Sequence, residues 1–459
     1  MLDKIKPKEN EIAHVNRVTT KICTLLDDIQ RDFSLSFSAE LVGSIARGTW
    51  MRDHLDIDFF LKFDAALSRE ELEKFGFKVG QEVAKRLQSE YVVSYAEHPY
   101  TKIFYDGYTI EIVPCYDIKD TTQLKSAVDR TPFHNKYLLN KLTDELRQEI
   151  LLFKQFLKSN NLYGAEAKIE GFSGYLCELL VLKYHTFLHL LERASQWSKR
   201  VGIQLEKTYP PHEILKRFSG NLVVIDPIDQ YRNVASALSC TNYFTFLYLA
   251  KTFQESPHSG FFFKEEIQPI LSSDLLRKIS SRNTLFIGIL FEIPPLVDDV
   301  LYPQLKKTSK SIVRFLEQDD ISVLRYDYSI DGTKVLFLIE LSYVGISNVR
   351  KIIGPPITKY DHVKSFLQKY QNNFSILSGP WIEDDTITLE IERDSTIENI
   401  VRDILLRDNL GAGKNIKDAI RAAKILFNKD ILSISAHFDN FIHSYLNKSV
   451  ITDQKRGEL

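Results

Sequence analysis

The stretch that most limits how this chain can fold is Leu55-Asp56-Ile57-Asp58-Phe59, where apolar and acidic residues alternate strictly. A period of two belongs to a strand with one face buried and the other wet. It sets the carboxylates of Asp56 and Asp58 on one face, roughly 7 Å apart. Two anions so close repel unless a cation lies between them. Just upstream, Gly43-Ser44 suits a tight turn into a short helix, whose first backbone N–H groups have no partner in the helix and favour phosphate. A second alternating run, Thr109-Ile110-Glu111-Ile112-Val113, holds Glu111 at its polar position. Paired carboxylates beside a phosphate-binding turn make a seat for Mg²⁺, a hard ion held by few carboxylates together with substrate phosphates. An acid-x-acid pair standing alone would be no more than the solvated side of a half-buried sheet. The order of turn, helix and acidic strand is what separates the two readings.

Taken in order, residues 9–33 read as an amphipathic helix carrying Ile12, Val15, Val18, Ile22 and Leu25, and 40–42 as a strand. Ser68-Arg69-Glu70-Glu71 resembles a capping box and opens a helix to about Leu87. Strand-like runs follow at 91–98, 101–106 and 108–116, the last two joined at the hairpin dipeptide Asp106-Gly107. Pro114 is expected to curtail the third strand, since it cannot donate to a ladder. These elements suit a mixed-sheet head over residues 1–142. Residues 143–257 are mostly helical. Ile150–Leu157 is apolar apart from Lys154, and Ser173–Leu191, apolar almost all round, reads as a single central helix. Lys154 reads either as a snorkelling stem or as an anion ligand, and Tyr163, in the turn Asn160–Gly164, either as a cover for the core or as a site residue. Residues 208–212 and 226–232 read as loops.

In residues 258–459 a strand at 284–293, a helix at 298–316, a hairpin at 323–329 and 335–341, a helix at 361–370 and a strand at 386–392 spell β-α-β-β-α-β, the ferredoxin-like split motif. Residues 394–447 read as helices. The fold class is thus α+β and multidomain, with a mixed-sheet head, a helical central domain, and a ferredoxin-like C-terminal domain with a helical tail. Two basic runs fall in this last third: Lys306, Lys310 and Arg314, spaced by four, and Lys414, Lys417, Arg421 and Lys424, spaced by three and four after Gly411-Ala412-Gly413. Each would form one positive helical face, either simply solvated or turned toward a nucleic-acid backbone.

Whole-chain properties exclude more than they assign. Lys and Arg number 59 against 61 Asp and Glu, a net charge of −2, so only a segregated basic face could recruit nucleic acid. No apolar run reaches spanning length and the first residues lack a signal-peptide core, so the expectation is no membrane and a cytoplasmic location. Cys23, Cys115, Cys177 and Cys240 are too scattered for a zinc site or disulfide framework and are each expected to pack as a small hydrophobe. The oligomeric state stays open, with a homodimer among the options.

The pattern G-S, short helix, then apolar-Asp-apolar-Asp-apolar, with a third acid on a nearby strand, is similar to that of polymerase-beta-type nucleotidyltransferases. More specifically the chain resembles archaeal-type (class I) CCA-adding enzymes, through GSIARGTW (43–50), IEIVPCY (110–116), SAVDRTPFHNKY (126–137), LYGAEAKIEGFSGYLCELL (162–180), VVIDPIDQYRNVASALS (223–239) and VDDVLYPQL (297–305). The resemblance implies template-independent addition of C, C and A to the tRNA 3′ end from CTP and ATP. It implies that Asp56, Asp58 and Glu111 are catalytic and hold metal. The family more often has Glu first in the strand pair and Asp third, so the side-chain lengths are exchanged here. It further implies that Ser44, Arg47, His134, Lys154 and Tyr163 bind the incoming nucleotide, and that Arg232, with Asn233 beside it, reads the base edge. The basic runs would contact tRNA. Two other readings remain: another RNA 3′-terminal nucleotidyltransferase, such as a poly(A) polymerase relative, and a tRNA-binding protein with a degenerate site.

Overall fold

Ile57, Phe59, Leu61 and Phe63, the odd-numbered residues of the acidic strand, are all buried, while Asp56 and Asp58 face the other way and are only half-buried. The alternation is therefore real, and it orients the first of two compact units. The computed structural model describes residues 1–52, 56–95, 98–263, 271–342, 347–371, 375–393 and 395–449. Leu55, Ala96 and Glu97, assigned above to strands, lie outside the described residues. Of the described residues, those up to 263 form one unit and those from 271 to 449 the other.

The first unit begins with helices α1 (Leu2–Ile5) and α2 (Glu9–Asp32), strand β1 (Phe37–Val42), helix α3 (Gly43–Arg47), strand β2 (Asp56–Asp64) and helix α4 (Arg69–Leu87). Strands β3 (Tyr91–Tyr95), β4 (Pro99–Tyr105) and β5 (Tyr108–Asp117) and helix α5 (Thr131–Leu139) follow. The sheet runs β1-β2-β5-β4-β3, with β2 and β5 parallel and every other pair antiparallel. The buried faces of α2 and α4 cover one side. Ser68 caps α4 by accepting from the Glu71 amide, as its capping box requires. Ile12 is exposed, and Leu26 rather than Leu25 joins Val15, Val18 and Ile22 on the buried face of α2. Contrary to expectation, β5 does not stop at Pro114. Its pairing with β2 continues to Asp117, whereas the β4 ladder ends at Ile112 opposite Thr101. Extending that register would set Pro99 against Pro114, two residues with no N–H to give, so the β4 ladder ends there and costs β2 nothing.

The same unit continues with α6 (Asp144–Ser159), α7 (Gly174–Tyr184), α8 (Phe187–Ala194), β6 (Val201–Gln204), α9 (Pro211–Arg217), β7 (Leu222–Ile225) and α10 (Cys240–Glu255). The single helix expected over 173–191 is two helices. His185 takes φ +69°, and the Thr186 side chain accepts from the His189 amide to start α8 afresh. Parallel strands β6 and β7 and helix α9 also replace residues read as loop or left unassigned. Phe153, Phe156, Phe172, Leu179, Tyr243 and Phe246 lie in the core of this part. Cys115 and Cys177 pack there and in the head as expected, but Cys23 and Cys240 are exposed.

The second unit holds α11 (Ser272–Ser281), β8 (Leu285–Glu292), α12 (Asp298–Gln318), β9 (Val323–Asp331), β10 (Lys334–Leu341), β11 (Val349–Pro356), α13 (Tyr360–Tyr370), β12 (Ile376–Glu383), β13 (Thr386–Glu392), α14 (Ile397–Leu406), α15 (Lys417–Arg421), β14 (Lys424–Phe427) and α16 (Ala436–Leu446). A split β-α-β-β-α-β motif is present, but built differently from the reading above. Its sheet is β14-β8-β10-β9, so the fourth strand is β14. The strand at 386–392 is instead the centre of a separate sheet, β11-β13-β12, inserted after β10. The tail read as all helices thus contributes a strand to the main layer. No helix of the described residues is long and apolar enough to cross a membrane.

Candidate active site

The parallel register sets Asp58 directly beside Glu111 and Asp56 beside Thr109, so the three acids share one face of the β2–β5 pair. Burial, then the charges of Glu111 and Asp56, pushes the Asp58 carboxyl up to about 7. Gly43, at φ +77°, has to be glycine because a Cβ there would run into the Asp58 carboxylate. The Ser44 hydroxyl is buried next to it, without a hydrogen-bond partner among the described residues. Because α3 spans only five residues, it offers unpaired backbone donors and a hydroxyl more than a dipole. Among the described residues, no three His, Cys, Asp or Glu side chains converge tightly enough to form a ready-made cage. Glu111 is drawn the other way by Lys102 of β4, whose Nζ lies 2.8 Å from Oε1. The residues still suit a divalent cation: three carboxylates on one face, Asp58 among them pushed toward its neutral form by burial and by its neighbours' charge, and beside them an orphaned hydroxyl.

Behind α3 lies a buried ion cluster. Glu178 of α7 is fully buried, with Arg47 Nη2 3.0 Å from Oε2 and Lys154 Nζ 3.4 Å from Oε1. The Thr49 hydroxyl also donates to Glu178, and Lys154 donates to the Thr49 carbonyl at 3.0 Å. Burial drives Lys154 below its ordinary range, whereas Arg47 and Lys154 together hold Glu178 ionised against its own burial. Arg47 also donates to Asn135 at 3.3 Å. Lys154 is therefore neither a snorkelling stem nor an exposed phosphate ligand. Its ammonium and the Tyr163 hydroxyl flank Gly174, where an added Cβ would come within 3.7 Å and 3.2 Å of them. Burial raises the Tyr163 phenol.

The remaining nominees gather around Asp226. This buried carboxylate meets His134 Nε2 at 2.8 Å, Arg232 Nη1 at 2.9 Å and the Tyr175 hydroxyl at 3.1 Å. His134 and Tyr175 rings lie 4.0 Å apart, and burial lowers the imidazole. Asn233 turns inward. Its Oδ1 accepts from the amides of Val224 and Ala235 at 2.9 and 3.0 Å, and its Nδ2 donates to the Leu222 carbonyl at 3.2 Å. That leaves it bracing the loop that carries Arg232, with no free edge for a base.

Lys306, Lys310 and Arg314 do lie along α12, with Lys310 and Arg314 exposed. The second run does not make one helical face. Lys414 precedes the five-residue α15, Lys424 begins β14, and Lys417 and Arg421 both approach Asp408, at 3.8 and 2.6 Å. A spacing of three and four reads as helix whether or not the chain stays helical, and here it turns into a strand. The sequence reading passed over Lys102, Tyr175, Glu178 and Asp226. Glu178 had a signal, as the lone acid in an otherwise apolar run; Lys102 had only its polar place in a strand.

Three family models match: a nucleotidyltransferase domain at residues 22–134, the second domain of tRNA nucleotidyltransferase at 148–263, and the C-terminal domain of the CCA-adding enzyme at 282–428. The head domain has the polymerase-beta-type fold, and nucleotidyltransferases of this kind generally use a divalent metal. The CCA-adding enzyme of Methanosarcina acetivorans is 35% identical over 430 residues, 92% of this chain and 91% of its own. That of Methanothermobacter thermautotrophicus is 35% identical over 455 residues, 97% of each chain. The enzyme of Haloarcula marismortui is 33% identical over 459 residues, 97% of this chain and 96% of its own. With the acid-bearing strands in register and this likeness running nearly end to end, the chain belongs to the CCA-adding enzymes, a family of tRNA nucleotidyltransferases.

Proposed function

We propose that this enzyme completes the 3′ end of tRNA, adding C, C and A in turn from CTP and ATP without a nucleic-acid template and releasing pyrophosphate. The observation that carries the reading is the side-by-side register of Asp58 and Glu111 next to Gly43 and the unpartnered Ser44 hydroxyl. In this reading Asp56, Asp58 and Glu111 hold Mg²⁺, whose small radius suits few carboxylates plus phosphate oxygens and water. When bound, the metal withdraws charge from the phosphates and from the attacking and leaving oxygens. Glu111 accepts the proton of the tRNA 3′-terminal hydroxyl. Ser44 donates its hydroxyl to a phosphate oxygen. Arg47 and Lys154, two cations sharing the single carboxylate of Glu178, leave net positive charge behind α3, which favours a triphosphate in front of it. Tyr163 offers a hydroxyl and a flat face to the sugar. Arg232, aimed through Asp226 together with His134, has only donors and so favours the acceptor-bearing edges of C and A. Asn233 acts at one remove, by holding that loop.

The exposed face of α12 with Lys306, Lys310 and Arg314, and the smaller patch of Lys414, Lys417, Arg421 and Lys424, take tRNA phosphates. In functional terms the chain divides into a catalytic head (1–142), a nucleotide- and tRNA-binding central part (143–257) and a tRNA-binding remainder (258–459). Its place of work is the cytoplasm, where unfinished tRNA, CTP and ATP meet. Because the correct nucleotide changes after each addition, the growing RNA end itself has to reshape the pocket. The test is an extension assay on tRNA transcripts ending before, within and after CCA, each offered single nucleotides. Ordered incorporation that stops after A is the expected result; long A tails, or indifference to CTP, would refute the reading.

A further inference from the structure

Across the sheet, Lys102 of β4, Glu111 of β5 and Asp58 of β2 form one row, each directly paired with the next. They consequently share a face, and the row ends in a cation. Lys102 Nζ lies 2.8 Å from Glu111 Oε1. Arg47, another cation whose field reaches Asp58, is already engaged by Glu178 at 3.0 Å. We propose that Lys102 is a positioning residue that serves as the resident counter-ion of Glu111, and that it must release this carboxylate before a divalent metal can be held by both strands.

The inference rests on the metal-binding reading given above and deepens it. A carboxylate oxygen that accepts from an ammonium is not available as a metal ligand in the same direction, and a positive charge beside it repels a second, doubly charged one. The exchange needs no rearrangement of the backbone. The Lys102 side chain is 31% exposed and that of Glu111 19%, so the ammonium has a solvent route away on its flexible stem. It also explains why three acids in register do not make a closed cage among the described residues: the outer one is pulled toward β4. Lys102 holds Glu111 in place while the site is empty, and on exchange its ammonium swings toward solvent.

The ordinary alternative is a cross-strand ion pair that only steadies the sheet. The two are separated by Mn²⁺ binding to the full-length chain without nucleotide, followed by electron paramagnetic resonance of free Mn²⁺. Lys102→Met and Lys102→Gln should each bind Mn²⁺ about fivefold tighter than wild type, while Lys102→Arg should not. In a Glu111→Gln background, Lys102→Met should bring no gain. Unchanged or weaker Mn²⁺ binding in both Lys102→Met and Lys102→Gln overturns the proposal. If Asp58→Asn still loosens Mn²⁺ in that event, the metal site stands and only the role of Lys102 falls. If Asp58→Asn and Glu111→Gln both bind like wild type, the metal reading itself has failed and takes this inference with it.

Discussion

Replacing Glu178 with Gln tests whether the buried cluster behind α3 is what ties that helix to α6 and α7. Glu178 is fully buried, and it meets Arg47, Lys154 and Thr49, of which Lys154 is 1% exposed and Arg47 7%. Gln keeps the shape and one acceptor oxygen but removes the only carboxylate in the cluster. Breaking a buried ion pair by discharging one partner costs about 3–5 kcal/mol, because the other charge is left uncompensated. In a unit of this size that corresponds to a fall of about 10 °C in melting temperature. The assay is calorimetry of the full chain, following the transition that CTP raises, since a two-unit chain need not melt in one step. Lys154→Met added to Glu178→Gln should cost about 2 kcal/mol less than Lys154→Met alone, because the charge it removes no longer has a partner. A Glu178→Gln protein that melts with wild type, or strict additivity of the two changes, would refute the reasoning.

Asp58→Asn should abolish incorporation while leaving tRNA affinity nearly intact, as read by single-nucleotide extension and filter binding. Because the folded Asp58 carboxyl titrates near 7, above its ordinary 3.8, it stabilises the metal-free fold fully below about pH 4. That contribution is lost as pH rises toward 7, by at most about 4 kcal/mol, and denaturant titrations of Asp58→Asn should lack the decline. Gly43→Ala should cut extension at least about tenfold, since it combines a left-handed backbone with a side chain that meets the Asp58 carboxylate; near-normal turnover would show that the turn can give way. Neutralising Lys306, Lys310 and Arg314 to Gln should weaken tRNA binding and flatten its salt dependence by about 0.7–0.9 in slope for each phosphate no longer neutralised. Charge removal at Lys417 and Arg421 should act in the same direction but less, because Asp408 already occupies them in part. An unchanged salt slope in both sets would assign these residues to solvated surface.

What could be read in advance follows from how local each signal is. Strands β2 and β5 announce themselves because a period of two needs only neighbours in sequence, and the same period foretold which face Asp56, Asp58 and Glu111 would share. The break at His185 was hidden because an all-round apolar run looks alike whether it forms one helix or two. In the second unit the right motif emerged from the wrong pieces. The inserted β13 looks like a strand and is one, whereas the true fourth strand, β14, is four residues long and begins inside a basic run with helical spacing. The cluster of Arg47, Lys154 and Glu178 joins residues more than a hundred positions apart in part, and nothing in Lys154 by itself reveals which acid it meets. Asn233 shows the opposite error, a polar residue beside Arg232 that turns out to serve the backbone.

The carboxylate of Glu178 belongs to α7, the core helix of the segment after the head, yet one of its partners is Arg47, the last residue of the helix that begins at Gly43. An anion that draws Arg47 forward does so at the expense of that bond. A ligand that took this guanidinium would loosen a rivet between α3 and α7, and its departure would let the joint close again. Tightness of grip and firmness of the joint are traded within a single ion cluster.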